Sequence, residues 1–272
     1  MTYDYVVADV FTDVALAGNQ LAVFPDASGI PEALLQPLAR EIGFSETTFV
    51  YPGDKVRIFT PAQELPFAGH PVLGTAAVLA AARQVDRIEL VTGRGTIPVQ
   101  FDGRGRGRMT QPIPTWTAFG GDEVALFAAL GVSGSVLPVE VYDIGIHHLY
   151  VVLGSVDAVA ALRPNSARLD SVAGATGVSC IAGTGTAWRS RMFAPGLGVI
   201  EDPATGSAAG PLAVHLARHG RIDWGTEITI TQGVELQRPS TLFAVARGSA
   251  MEIGTVEVAG DTVIVGRGSF EL

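Results

Sequence analysis

The chain has little cysteine, little charge and no basic cluster, and these shortages exclude several classes of protein. Its one cysteine, Cys180, cannot form an internal disulfide, and its apolar sequence neighbours indicate an inert core thiol. Only 17% of the 272 residues are charged, and the formal net charge is −9. This balance opposes binding to a phosphate backbone. We therefore expect no nucleic-acid partner.

Membrane segments and cofactor motifs are also missing from the sequence. The longest apolar stretches, such as residues 72–82, are shorter than the roughly 20 residues that span a bilayer. The first residues lack the basic and apolar regions of a signal peptide, so we expect a cytoplasmic protein with no membrane role. No P-loop motif occurs. His147 and His148 are adjacent on a predicted strand and would point to opposite faces. We expect no nucleotide, metal or organic cofactor.

What the sequence does contain is apolar material in alternating strands and helices. Hydrophobic residues make up 47% of the chain, and the length fits one large domain or two of about 120–140 residues. Leucines at helical spacing predict an amphipathic helix over residues 31–42. Residues 71–82 and 203–218 are apolar or small on every side, which is typical of helices buried all round. Shorter helices are predicted at 122–131 and 156–163. Strands are predicted at 5–11, 19–24, 47–51, 56–60, 87–92, 96–101, 139–142, 148–153, 178–182, 186–193, 227–232, 242–248, 251–258 and 262–265.

The two predicted buried helices belong to an internal repeat. The segment His70-Pro71-Val72-Leu73-Gly74-Thr75-Ala76-Ala77 aligns with Asp202-Pro203-Ala204-Thr205-Gly206-Ser207-Ala208-Ala209. At nearly the same offset, Arg57-x-Phe59-x-Pro61 matches Arg191-x-Phe193-x-Pro195, and Thr92-Gly93 matches Gln232-Gly233 in position. Order and spacing agree across a strand–loop–helix–strand unit. We therefore infer a duplication that gives two similar halves.

Each copy of the repeat places a protonatable side chain directly before a proline, His70 in the first and Asp202 in the second. Proline suits the first turn of a helix, and the free first-turn amides bind anions such as carboxylates. Taken one at a time, Asp202 fits an N-cap and His70 a turn residue. Duplication favours a functional interpretation, because two related helix N-termini can face each other across a cleft. A cleft with a histidine on one wall and a carboxylate on the other is suited to proton transfer.

Glu46 is the third candidate for proton transfer. It lies between aromatic and β-branched residues in Phe44-Ser45-Glu46-Thr47-Thr48-Phe49, where a charged side chain is unexpected without a partner or a task. The alternative is a solvent-facing strand residue, which alternation permits. A capping box is excluded because β-branched residues follow instead of a helix.

Blocks of residues in order along almost the whole chain resemble the phenazine-biosynthesis PhzF family. They are Gly18-Asn19-Gln20-Leu21-Ala22-Val23, Phe44-Ser45-Glu46-Thr47-Thr48-Phe49, Arg57-Ile58-Phe59-Thr60-Pro61, Glu64-Leu65-Pro66-Phe67-Ala68-Gly69-His70-Pro71, Glu201-Asp202-Pro203-Ala204-Thr205-Gly206-Ser207-Ala208 and Arg238-Pro239-Ser240. The resemblance implies a diaminopimelate-epimerase-like α/β fold with two pseudo-symmetric lobes. Each lobe would be a curved sheet wrapped round a central helix, with the active site between the lobes. Residues 1–115, joined by the last strand near 260–272, would form one lobe, and residues 116–259 the other.

The same resemblance implies a cofactor-independent isomerase that is typically a homodimer. Its substrate would be a small carboxylate like trans-2,3-dihydro-3-hydroxyanthranilate. The residue matching Glu46 would shuttle the proton, and those matching His70 and Asp202 would assist in acid–base work. The residues matching Gly69, Gly206 and Ser207 would hold the substrate, and we also expect Asn19, Ser45 and Gly74 to contact it. One departure is Ala68, where many members have cysteine, but that position is not one of the family's proton-transfer residues.

Two other functions stay open at this point. Amino-acid racemases and epimerases of the same fold resemble one another in using paired cysteines at the two helix N-termini, whereas this chain has only Cys180. A non-catalytic binding or scaffold protein would have no need for Glu46, His70 and Asp202 together. Because the family is broad, its fold and site transfer to this chain better than its substrate does.

Overall fold

The chain folds as a continuous sheet with helices packed against it. In the computed structural model, which describes residues 1–174 and 176–272, eighteen strands form the sheet and six α-helices are present. This architecture confirms the predicted α/β class. Among the described residues, no helix is both long enough and apolar enough to cross a bilayer.

The first part of the sheet is built from eight strands and two helices. They are β1 (Thr2–Val10), β2 (Asn19–Phe24), α1 (Glu32–Ile42), β3 (Glu46–Tyr51), β4 (Lys55–Phe59), β5 (Glu64–Leu65), α2 (Gly69–Arg83), β6 (Arg87–Thr92), β7 (Gly95–Phe101) and β8 (Gly107–Gln111). Burial alternates along β6, where Ile88, Leu90 and Thr92 point inward. That pattern is expected of a strand with one solvated face.

The second part begins with a strand and repeats much of this order. Its elements are β9 (Thr115–Ala118), α3 (Glu123–Leu130), β10 (Glu140–Asp143), β11 (His147–Val152), α4 (Val156–Ala160), α5 (Ser166–Ala173), β12 (Gly177–Thr184), β13 (Ala187–Ala194), β14 (Val199–Asp202), α6 (Gly206–Arg218), β15 (Ile228–Gln232), β16 (Ser240–Gly248), β17 (Ile253–Gly260) and β18 (Thr262–Glu271). A short 3₁₀ helix, Pro195–Leu197, links β13 to β14.

Two stretches of the chain follow the same path through the sheet. β2 runs parallel to β3 and β3 antiparallel to β4, which then pairs antiparallel with β5 and parallel with β6. β11, β12, β13, β14 and β15 repeat these pairings in the same order and orientation. α2 connects β5 to β6, and α6 connects β14 to β15. This shared topology is what the duplication inferred from the sequence predicts.

The last strand returns to the start of the chain. β18 pairs with β1 in antiparallel register, from Thr262 opposite Val10 to Glu271 opposite Thr2. β9 lies beside β10 in the corresponding position. β8 and β17 pair with each other and so connect the two parts of the sheet.

α2 and α6 form the centre of the molecule. Residues from Gly69 to Ala76 of α2 are all buried, as are those from Gly206 to Ala217 of α6. The largest cluster of buried apolar side chains extends through both parts of the sheet, and smaller clusters lie beneath α1 and beneath α3, α4 and α5. The prediction of two buried helices is confirmed for α6 and for α2 as far as Ala80, whereas residues 81–83 at the end of α2 are exposed.

The structure corrects the predicted start of the second buried helix. α6 begins at Gly206 and not at Pro203. The reason is tertiary, because the preceding residues pair with β13 as strand β14, with Asp202 opposite Met192. The chain needs residues 203–205 to turn from the sheet into the helix, so Pro203 lies before the first turn.

Other boundaries also differ from the predictions. The helix predicted at 156–163 ends at Ala160, and α5 follows after Asn165, whose side chain caps it by accepting from the amide of Arg168. The strand predicted at 251–258 is displaced to β17, because a turn closed by a hydrogen bond from Ser249 N to Glu252 O occupies its start. The short strands β5, β8, β9 and β14 were not predicted, since none has a long apolar alternation.

Candidate active site

The N-termini of the two buried helices meet at one cavity between the halves of the chain. Six residues singled out from the sequence line it: Glu46, Gly69, His70, Asp202, Gly206 and Ser207. Glu46 opens β3, His70 is the second residue of α2, and Asp202 ends β14. The structure therefore brings the three predicted proton-transfer side chains to the wall of a single cavity.

The two helix ends touch through their backbones. A Cβ atom added at Gly69 would lie 2.2 Å from the amide nitrogen of Ser207 and 2.4 Å from the carbonyl carbon of Gly206. A Cβ added at Gly206 would lie 2.7 Å from the ring of Phe11 and 3.1 Å from the carbonyl carbon of Gly69. Such an approach requires residues without side chains. These glycines therefore fix the width of the cleft.

The first amides of both helices are available to a ligand. Within the described part of the chain, the amides of Gly206 and Ser207 donate no backbone hydrogen bond, and the same holds for Gly69 and His70. First-turn amides lack intrahelical partners and carry partial positive charge. The cavity wall is thus suited to a carboxylate.

Asn19 links the acid–base groups of the two halves. Its Nδ2 donates to Asp202 Oδ1 at 2.8 Å and to Ala204 O at 2.9 Å, and lies 3.2 Å from His70 Nδ1. Ser45 Oγ donates to Asn19 Oδ1 at 3.0 Å. Both Asn19 and Ser45 also line a wider groove between residues 43–45 and 198–203. Of these two predicted substrate-binding residues, Asn19 contacts Asp202 and His70 directly, and Ser45 contacts Asn19.

Asp202 does not cap the following helix. Its Oδ2 accepts a hydrogen bond from Thr205 Oγ1 at 2.6 Å. Gln232 Nε2 donates to the backbone oxygen of Asp202 at 2.8 Å and to Thr205 Oγ1 at 2.9 Å. The N-cap alternative for Asp202 is therefore wrong. Thr205 and Gln232 were not chosen from the sequence, although both belong to the repeat, where Gln232-Gly233 corresponds in position to Thr92-Gly93.

Burial shifts the pKa of all three predicted proton-transfer groups, and it moves those of the two carboxyl groups toward neutral pH. It raises the pKa of Glu46 to about 8, and the nearby charge of Asp202 adds to the rise. Burial also raises the pKa of Asp202 to about 6, against hydrogen bonds from Thr205 and Asn19 that favour the ionised form. Burial lowers the pKa of His70 to about 3, so its imidazole is neutral at pH 7. A carboxyl group that exchanges its proton near the working pH is suited to general acid–base catalysis.

Glu46 and His70 each keep a free polar atom at the cavity. Glu46 Oε2 lies 3.5 Å from His70 Nε2, and neither atom has a hydrogen-bond partner in the described part of the chain. Only 13% of the Glu46 side chain and 3% of the His70 side chain are exposed. Buried polar atoms without partners are uncommon. These two atoms are accordingly the ones available to a bound substrate.

Arg238 holds the loop that precedes Asn19. Its Nε donates to Gly18 O at 2.8 Å, and its Nη2 donates to Ala17 O at 2.7 Å. Nη2 also pairs at 2.5 Å with Asp9, which is 1% exposed. Asn19 follows this loop directly. Arg238, from the second half of the chain, therefore contributes to the position of the residue that holds Asp202.

Three of the predictions concern residues outside the cavity. Gly74 lies inside α2, where an added Cβ would meet Val10 Cγ2 at 2.6 Å and Leu21 Cδ2 at 2.7 Å. Its small size serves the packing of α2 against β1 and β2, so its position gives no support to substrate binding. His147 is exposed and His148 buried, as expected for neighbours on a strand. Cys180 is buried, which raises the pKa of its thiol to about 12 and fits an inert core residue.

A second polar cluster, near the C-terminal end of α6, contains side chains of the types that bind metal ions, but it also contains the guanidinium group of Arg218. Glu140, His215 and His219 place their ligand atoms within 4.8 Å of one another. Arg218 Nη1 donates to Glu140 Oε2 at 2.7 Å, and Tyr142 OH donates to the same oxygen at 2.9 Å. A divalent ion bound there would lie close to the guanidinium. We interpret the cluster as an ion-pair network that holds the end of α6 to β10.

Known proteins with similar sequences identify the family to which the chain is related. The sequence profile of the family described as "Phenazine biosynthesis-like protein" matches residues 8–268. A protein from Pseudomonas fluorescens named trans-2,3-dihydro-3-hydroxyanthranilate isomerase is 49% identical over 279 residues, which cover 99% of this chain and 100% of that protein.

Solved structures share the fold. The crystal structure of a PhzF-family phenazine biosynthesis protein from Bacillus anthracis superposes with a TM-score of 0.89 at 24% identity, covering 100% of both chains. A hydroxyproline epimerase from Agrobacterium vitis superposes with a TM-score of 0.65 at 12% identity, covering 99% of this chain and 91% of the epimerase. These two likenesses concern the fold alone, and they agree with the expected epimerase-like architecture.

Proposed function

Because the chain belongs to the phenazine biosynthesis-like protein family, we propose that it is an isomerase that moves a proton on trans-2,3-dihydro-3-hydroxyanthranilate or a closely similar small carboxylate. The reaction would need no cofactor. The observation that carries the proposal is the proximity of Glu46 and His70, which present unpartnered atoms to a cavity that the N-termini of α2 and α6 also line. The 49% identity to the named isomerase from Pseudomonas fluorescens supports the choice of substrate.

The helix N-termini would bind the substrate's carboxylate. The amides of Gly206 and Ser207 are free in the described part of the chain, and the macrodipole of α6 favours negative charge at its first turn. A carboxylate anchored there would place the ring in the cavity that Glu46 and His70 also line. Holding the ring in one orientation removes much of the entropic cost of proton transfer.

Glu46 would act first as a base and then as an acid. In its ionised form it takes a proton from an activated ring carbon, and the C–H electron pair shifts into the conjugated system. The protonated Glu46, which exchanges its proton with water between the two steps, then gives a proton to another carbon of that system. No proton or electron is gained or lost overall, so the step balances without a co-reactant. Fixed donors at the helix N-termini would stabilise negative charge that develops on the substrate.

Burial and, after it, the charge of Asp202 would set the proton affinity of Glu46. The charge of Asp202 contributes to the raised pKa of Glu46, which makes the protonated form a competent donor near neutral pH. His70 stays neutral and lies 3.5 Å from Glu46, where it can exchange hydrogen bonds with the carboxyl group in either state.

The proposal includes the organisation of the molecule. We propose two lobes, residues 1–115 with 260–272 and residues 116–259, which the pairing of β18 with β1 supports. We also propose a homodimer located in the cytoplasm, where thiols such as that of Cys180 are kept reduced. Light scattering on the purified protein should give about twice the chain mass of 28.3 kDa if the dimer forms.

The test of function is direct conversion of the substrate. Purified protein, treated with a chelator, is incubated with trans-2,3-dihydro-3-hydroxyanthranilate, and the rearrangement is followed by proton NMR. We expect turnover. A parallel panel of proline and hydroxyproline enantiomers examines racemisation. If the protein racemises proline or hydroxyproline but does not rearrange trans-2,3-dihydro-3-hydroxyanthranilate, the racemase alternative replaces the proposal. If it binds these compounds but converts none of them, a scaffold protein is favoured.

A further inference from the structure

His148 is a buried histidine in direct contact with the substrate-facing helix end. It lies on β11 with none of its surface exposed, on the face opposite His147. Its Nε2 is 3.0 Å from Ser207 Oγ. Its Nδ1 is buried without a hydrogen-bond partner in the described part of the chain. The mechanism described above does not use this histidine.

The location of the imidazole proton follows from these two environments. Burial lowers the pKa of His148 to about 3, so at neutral pH the ring has one N–H and one lone pair. A proton on Nδ1 would be a buried donor with no acceptor, which is rarer in proteins than a buried acceptor with no donor. A proton on Nε2 instead points at Ser207 Oγ. The second arrangement leaves only a lone pair unsatisfied.

The tautomer decides what Ser207 can offer to a ligand. A serine hydroxyl has one hydrogen to donate and two lone pairs. If Nε2 were an acceptor, it would take the hydroxyl hydrogen and leave only lone pairs facing the cavity, which repel an anion. If Nε2 is a donor, the hydroxyl hydrogen is free to point into the cavity that Ser207 lines.

We propose that His148 is a positioning residue that donates from Nε2 to Ser207 Oγ and thereby makes the Ser207 hydroxyl a donor to the substrate's carboxylate. The inference rests on the proposed function, since it assumes that the carboxylate binds at this helix end. The tautomer of His148 would thus favour binding of a carboxylate over binding of a neutral group. A substrate analogue with a carboxamide in place of the carboxylate lacks the negative charge, so its hydrogen bond from Ser207 would be weaker.

A double-mutant cycle tests whether His148 acts through Ser207. The variants are His148→Met, which removes the donor at similar bulk, His148→Gln, whose amide nitrogen reaches the Nε2 position, and Ser207→Ala. Hydrogen bonds to charged groups correspond to roughly ten- to hundredfold in affinity. We expect His148→Met and Ser207→Ala each to weaken binding of 3-hydroxyanthranilate by about tenfold or more, with little effect on binding of its carboxamide.

The double variant should bind 3-hydroxyanthranilate no more weakly than Ser207→Ala alone, and His148→Gln should bind it with nearly the affinity of the wild-type protein. Independent, multiplying losses would overturn the proposal.

The tautomer itself is measured in the wild-type protein without any ligand. In protein labelled with ¹⁵N histidine, the ring nitrogen shifts of His148 report which nitrogen is protonated, with His148→Gln serving to assign the signal. We expect the proton on Nε2 at pH 7, and a proton on Nδ1 would contradict the proposal. This measurement separates the two claims. Failure of the wild-type protein to bind or convert the acid would refute the proposed function, whereas a wrong tautomer in an active enzyme would refute only the role of His148.

Discussion

The substitution Gly69→Ala examines how the backbone contact between α2 and α6 sets the width of the cleft. The new Cβ would lie 2.2 Å from the amide nitrogen of Ser207, whereas non-bonded heavy atoms sit about 3.5 Å apart. The two helix ends must therefore separate by more than about 1 Å. Overpacking of this kind typically costs about 1–3 kcal/mol of stability. A misplacement of about 1 Å at a catalytic site can cost about a hundredfold in rate.

The assay pairs turnover with stability for Gly69→Ala and a control, Gly74→Ala. The control also overpacks α2, with contacts of 2.6 Å to Val10 and 2.7 Å to Leu21, but neither of these residues lines the cavity. We expect both variants to lose stability in urea unfolding. Only Gly69→Ala should lose about a hundredfold in kcat. Equal losses of kcat in both variants would refute the reasoning and would return Gly74 to the substrate site, and a fully active Gly69→Ala would show that the cleft tolerates a wider separation.

Two further predictions concern groups around the cavity. The rate constant kcat/KM should rise with pH to a plateau above about pH 8, because Glu46 must be ionised to act as a base and its pKa is raised to about 8. Asp202→Asn removes a neighbouring negative charge and should move that midpoint to lower pH, whereas an unchanged midpoint would assign the titration to another group. Arg238→Lys cannot keep the contacts with Asp9 and the carbonyls of Ala17 and Gly18, so urea unfolding should show a loss of about 1–3 kcal/mol together with a lower kcat. Retained stability and turnover would show that Arg238 does not hold the loop.

Most of the correct predictions about the buried helices and the candidate site came from the internal repeat in the sequence. Its blocks of proline, glycine and alanine predicted two helices buried all round, and both are present as α2 and α6. The same blocks singled out His70 and Asp202 because each stands at the same point of its copy. Glu46 was found by a different signal, a charged residue in an apolar run. All three line one cavity, although their catalytic roles stay predictions.

What the sequence could not predict depends on long-range contacts. The start of α6 is set by the pairing of β14 with β13, which no local pattern reveals. Asn19 reaches Asp202 across 183 positions of sequence, so its role in holding that carboxylate emerges only from the fold. Gly74 was predicted to bind the substrate because a glycine in this position indicates that some other group lies close to its backbone. The sequence does not say whether that neighbour is a ligand or, as here, two strands of the same chain.

The central claim, that Glu46 moves the proton, is tested most directly by Glu46→Gln in heavy water. Glutamine keeps the shape of the side chain but cannot take up a proton, and general acid–base catalysis contributes about a hundred- to ten-thousandfold. Glu32→Gln, at a carboxylate that is 75% exposed, serves as the control.

The measurement is deuterium content and rate of product formation from trans-2,3-dihydro-3-hydroxyanthranilate, followed by proton NMR. Wild-type protein and Glu32→Gln should convert the acid and exchange the transferred hydrogen. Glu46→Gln should still bind 3-hydroxyanthranilate with similar affinity but lose conversion by at least about a hundredfold. Equal conversion and exchange by Glu46→Gln and the wild-type protein would contradict the account and move the base to His70 or Asp202.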